Sequence, residues 1–174
     1  MWYPHQQSQI ESIEKVQHRA TRLVPELQHL TSEERLRALS LPTLIFRRIR
    51  ADAISTYKII HGIDNVDHRD FFELRCNDKD ARAHRGHDLQ IVRTRCRRTT
   101  RQHSFVVRSA KLWNMLDANV VYACNSRGER CVNSFKKAFD AYMADKMNIF
   151  SDRPVRNVHD TTSVLGRYLF EYCV

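Results

Sequence analysis

Between Thr43 and His61 the apolar residues Ile45, Ile49, Ala53, Tyr57 and Ile60 recur every three or four positions, with Leu44 and Ile59 beside them. That period belongs to a helix; a strand would alternate every two residues. Arg47, Arg50 and Lys58 fall on the opposite side, and Gly62 stands where a helix C-cap is wanted. Only four Gly and four Pro occur in the 174 residues, fewer than a sheet joined by tight turns needs. The fold class that follows is mainly α.

Neighbouring segments repeat the theme. Ile10, Ile13, Val16, Ala20 and Leu23 form an earlier apolar series, opened by the capping-box pattern Ser8-Gln9-Ile10-Glu11 and stopped by Pro25. Glu11 and Lys15 have the spacing of an i,i+4 pair, and His18, Arg19 and Arg22 lie along the polar side. A second box, Thr31 to Glu34, opens a short helix through Leu36 and Leu39, with Glu33 supporting Arg37, and Pro42 restarts the chain. Residues 1–62 therefore read as a three-helix segment forming a small antiparallel cluster. Residues 63–103 read as a connecting segment, first acidic with Phe71, Phe72 and Leu74 as an anchor, then arginine-rich, with a possible short strand at Leu89–Val92. Residues 104–147 carry two C-terminal helices. One is marked by Val106, Ala110, Trp113 and Leu116. The other is capped by Asn133 or Ser134 and marked by Phe135, Ala138, Phe139, Tyr142 and Met143. The remainder, 148–174, has weak periodicity and reads as a divergent, poorly ordered tail.

Charge is distributed unevenly. Arg82–Lys111 holds nine of the 29 Lys and Arg residues and one acid, Asp88, so +8 of the net +9 sits in that stretch. Its densest part is Arg93, Arg95, Arg97, Arg98 and Arg101. Forked guanidinium groups without interleaved acids suit phosphate oxygens, and the partner class expected is RNA or DNA backbone. Arg85, His87 and Arg108 join the candidate site, and Arg19, Arg22, Arg47 and Arg50 are possible auxiliaries. Only Phe105 and Trp113 are nearby aromatics, and Trp113 shares the core spacing, so base stacking is not indicated.

Other chemistries find little purchase. Cys76, His84, His87 and Cys96 offer zinc donors, but their spacing fits no zinc knuckle, and neither metal nor cofactor is expected. Ser, His and Asp residues are scattered without a nucleophile motif, and no small-molecule substrate is implied. Five cysteines without a C-x-x-C, no apolar run near 20 residues and no secretory signal point to an intracellular chain, nuclear or cytoplasmic, that is neither secreted nor membrane-bound.

Several segments in fixed order carry a family resemblance: Trp2-x-Pro4; Ile13 to Leu23; Glu34-Arg35-Leu36-x-x-Leu39-x-Leu41; Arg47-Arg48-x-Arg50-x-Asp52; Tyr57-Lys58-Ile59-x-x-Gly62; Phe71-Phe72; Arg85-Gly86-His87; Arg108; Trp113-Asn114; Val120-Val121-x-Ala123; and Asn133-Ser134-Phe135-Lys136. From Trp2 to about Tyr142 the chain resembles the C-terminal region of reverse transcriptases from jockey-like non-LTR retrotransposons. The resemblance implies nucleic-acid handling beside an RNA-directed DNA polymerase core, within a ribonucleoprotein. It supplies no catalytic residue, because the paired metal-binding aspartates of such a polymerase have no counterpart here: the chain contains no Asp-Asp pair. Arg127–Cys131 interrupts the family pattern, and Asp117 stands where the family has Pro. The expected function is a non-catalytic fragment that binds nucleic-acid backbone. The alternatives are a helical module docking on the polymerase core through its Ile45–Ile60 and Phe135–Met143 stripes, and a decayed element with no selected function.

Overall fold

The computed structural model describes residues 4, 6–75, 86–146 and 148–150. The described residues form seven α-helices in order: α1 Gln7–Arg22, α2 Ser32–Ala38, α3 Leu44–Ile60, α4 Thr99–Gln102, α5 Phe105–Trp113, α6 Ala118–Val121 and α7 Val132–Lys146. Among the described residues there are no strands, only two isolated antiparallel bridges, Leu74 with Ile91 and Cys124 with Arg130. The chain is mainly α, as its periodicity requires. The strand expected at Leu89–Val92 is reduced to the first of these bridges, with Arg75 N–H donating to Gln90 O at 2.8 Å and Val92 N–H to Glu73 O at 2.7 Å. The arginine run that follows has no alternating apolar face with which to extend a sheet.

The described residues gather into two compact units. One takes the chain through Ile49 and resumes it at Lys146; the other is Arg50–Asp145. This differs from the segments bounded at 62, 103 and 147, because the division falls inside α3. Most of the tail segment lies outside the described residues. Its first residues are tied to the N-terminal unit: Asn148 Nδ2 donates to Glu33 Oε1 at 2.6 Å, and Thr43 N–H to Ile149 O at 3.1 Å.

In the first unit, α1 buries a different face from the apolar one. Ile10, Glu14, Gln17 and Thr21 are inside, whereas Val16 is 67% and Leu23 77% exposed. The reason is the start of α3, whose leading N–H groups have no partner within the helix. Glu14 accepts from Leu44 N–H at 3.2 Å and Ile45 N–H at 2.8 Å, and Thr43 Oγ1 accepts from Phe46 N–H at 3.3 Å. Gln17 Nε2 donates to Pro42 O at 3.1 Å. A buried carboxylate at the positive end of a helix also meets its dipole favourably. The box expected at Ser8 does not form; α1 begins two residues earlier, with Gln6 as its N-cap, and Glu11 accepts from Gln7 Nε2 at 3.0 Å. The box at Thr31 does form, with Thr31 N–H donating to Glu34 Oε2 at 2.8 Å, and Arg37 pairs with Glu33 at 2.7 Å.

In the second unit, Tyr57 is fully buried and stacks on Phe135 with ring centroids 4.2 Å apart. Trp113 and Phe139 continue the aromatic cluster around Phe135 at 6.3 and 5.8 Å. Within this unit the buried apolar side of α3 is Ala53, Tyr57 and Ile59, and that of α7 is Phe135, Phe139 and Met143. The two stripes that a docking module would leave bare are thus largely consumed in the core. Arg50 forks onto Asp140 at 2.6 and 2.7 Å, which raises its pKa and makes it a structural cation. α7 starts earlier than expected. The thiol of Cys131 meets the N–H groups of Asn133 and Ser134, and these bonds pull its pKa below the ordinary value. Among the described residues no helix is long and apolar enough to cross a membrane.

Candidate nucleic-acid interface

The arginine run is an excursion between two anchored ends. At its start, three consecutive odd-numbered residues are fastened to the end of α5. The His87 ring bonds Trp113 O at 3.0 Å, Leu89 O accepts from Trp113 Nε1 at 2.8 Å, and Ile91 exchanges two bonds with the Asn114 side chain, both 2.8 Å. At its far end Arg108 donates to His103 O at 2.8 Å. Between these points the segment closes on itself. Arg101 and Gln102 N–H groups donate to Arg98 O at 3.1 and 3.2 Å, and Gln102 Nε2 reaches Cys96 O at 3.2 Å. The backbone of the run is therefore shaped locally while its cationic side chains remain in water.

Arg93, Arg95, Arg97, Arg98 and Arg101 are all exposed, and none pairs with a carboxylate among the described residues. Lys111, on α5, extends the group. Burial, and after it the nearby charge of Arg93, pushes its ammonium pKa below the usual value. Sequence reading did not include Lys111 in the site, although its position in the basic stretch was a usable signal.

Two of the expected contact residues belong instead to the core. Arg108 is 3% exposed and forks onto Asp52 at 2.6 and 3.0 Å. A guanidinium so engaged has no free edge for phosphate. His87 is buried, and the Trp113 carbonyl can only accept, so its Nε2 carries the proton; Nδ1 is enclosed with no partner among the described residues. Arg85 lies outside the described residues, as do Cys76 and His84 of the zinc set. Cys96, the last of that set, turns its thiol onto Thr94 O at 3.6 Å.

Burial lowers the pKa of His87 and of His61 below the ordinary 6.5, against the opposing pull of their carbonyl partners. Below that value the unfolded chain takes up protons that the folded chain refuses, so stability must decrease as the pH is lowered. The expected result is a urea midpoint that is flat above about pH 7 and drops from roughly pH 6.5 downward, by up to about 1.4 kcal/mol per pH unit for each histidine. The His87→Gln variant should show a shallower drop.

Gly86, at the entry to this region, has φ +118°, and an added Cβ would meet Gln90 Nε2 at 2.5 Å. Gly86→Ala should lower the urea stability by about 1–3 kcal/mol through backbone strain and the displaced Gln90.

The arrangement defines a class: a helical protein presenting a fixed, unpaired cationic loop. Comparison with protein-family models finds no match, and no curated protein or solved structure is significantly similar to the chain.

Proposed function

We propose that this chain is the C-terminal region of a jockey-like non-LTR retrotransposon reverse transcriptase, and that it holds RNA or DNA backbone without performing a catalytic step. Support for backbone binding is the exposure of Arg93, Arg95, Arg97, Arg98 and Arg101 with no carboxylate neutralising them. A solvated surface normally interleaves both signs, since unpaired like charges repel at close quarters. Support for the parentage is the ordered set of segments, several of which have structural work here. Trp113-Asn114 and His87 fasten the loop, and Arg108 and Asp52 form one buried pair.

Guanidinium groups that meet only phosphates carry no base preference. Filter binding with strands of equal length and different base sequence should give affinities within a few-fold of one another. A strong preference for one sequence would argue for base readout and against this reading. The parentage is tested upstream of Met1: an in-frame polymerase palm with its aspartate pair is expected.

A further inference from the structure

A second cationic feature lies in the first unit, and it does not rest on the arginine loop. A pocket of about 370 Å3 opens between α1 and α2, lined by Lys15, His18, Arg19, Arg22, Leu30, Thr31, Ser32 and Arg35. Four of these are permanent cations. Lys15, Arg19 and Arg22 are exposed and pair with no carboxylate among the described residues. The unit's nearby acids are committed elsewhere: Glu33 to Arg37, Glu34 to Thr31 and Glu14 to the start of α3.

Arg35 is the telling member. It is 4% exposed, yet its hydrogen-bond partners, Thr21 Oγ1 and Leu30 O, are both neutral. A guanidinium withdrawn from water without a counter-charge is costly unless an anion is supplied. Ser32 Oγ is also buried with no hydrogen-bond partner among the described residues, which carries its own desolvation penalty. One group relieves both: an oxyanion seated in the pocket, accepting from Arg35 and Ser32 and ringed by the flexible cations of α1.

We propose that the α1–α2 pocket is a phosphate-binding site formed by Arg35, Ser32, Arg19, Arg22 and Lys15. Phosphate matches because it offers several acceptor oxygens to forked and point cations at once. The group comes either from free inorganic phosphate or from the phosphate end of a nucleotide.

The test is calorimetric titration of the full chain with inorganic phosphate and, separately, with adenosine 5′-monophosphate, at constant ionic strength. One equivalent should bind with a dissociation constant of roughly a millimolar or below, a range that corresponds to about −4 kcal/mol. Tighter binding of the nucleotide assigns the site to nucleotide phosphate; equal binding assigns it to phosphate itself. Arg19 and Arg22 are exposed, so the R19Q/R22Q variant should fold, which circular dichroism verifies, and should bind at least tenfold more weakly. Replacing Arg95, Arg97, Arg98 and Arg101 by Ala should leave phosphate binding unchanged. Absence of saturable binding of either probe overturns the proposal, as does binding that survives R19Q/R22Q or that is lost with the loop arginines.

Discussion

Replacing Arg108 with methionine is expected to destabilise the Arg50–Asp145 unit by about 3–5 kcal/mol, the range for breaking a buried ion pair. The partner left behind, Asp52, is 1% exposed and would have neither a cation nor water opposite it. Arg108 also holds the His103 carbonyl, so the far end of the arginine loop would loosen with it. At about 4–8 °C per kcal/mol for a unit of this size, the melting temperature should fall by roughly 12 °C or more. The double variant Asp52→Leu with Arg108→Met should recover much of the loss, because a buried pair replaced by apolar groups is often close to neutral. Thermal scans of the single and double variants check this. An unperturbed Arg108→Met protein would return Arg108 to the list of phosphate contacts.

The other large effect is on binding. Changing Arg95, Arg97, Arg98 and Arg101 together to Ala should weaken RNA or DNA binding by about a hundredfold or more at low salt, if each charge-assisted contact contributes on the order of 1 kcal/mol. Stability should move by less than about 0.5 kcal/mol, as for other exposed substitutions without partners. The backbone bonds to Arg98 O and the Gln102 bond to Cys96 O do not depend on those side chains, so the loop keeps its form. That separation between binding and folding distinguishes the loop arginines from Arg108, whose loss acts on folding first.

What could be read from the sequence was local. The Thr31–Glu34 box closes within four residues, and the α3 stripe repeats within a single helix, so both are visible as patterns. The exposed arginines were visible because acids are missing around them. The misreadings of Glu14, Arg108 and His87 share one cause: a polar side chain whose partner is remote in sequence. Glu14 is buried because it caps a helix start 30 and 31 positions away. An apolar period assigns the buried face of α1 to Val16 and Leu23, since it has no means of recognising a carboxylate as an inward-facing group. Arg108 lies 56 positions from Asp52, and His87 lies 26 from the Trp113 carbonyl. Each reads as a cation of the basic stretch until the fold supplies its partner. The α1–α2 pocket is invisible in the sequence for the same reason, although Arg19 and Arg22 stand there as basic residues. What makes it a pocket is Arg35, contributed by the next helix.

The most direct measurement is the salt dependence of nucleic-acid binding by the intact chain. About four phosphates neutralised by the loop give a slope of log K against log salt near −3 to −4, or roughly a hundredfold loss between 50 and 200 mM. The fourfold alanine variant should flatten that slope to about −1 or less. A wild-type slope near zero, or the same slope in both proteins, would contradict the claim that these guanidinium groups hold a sugar–phosphate chain.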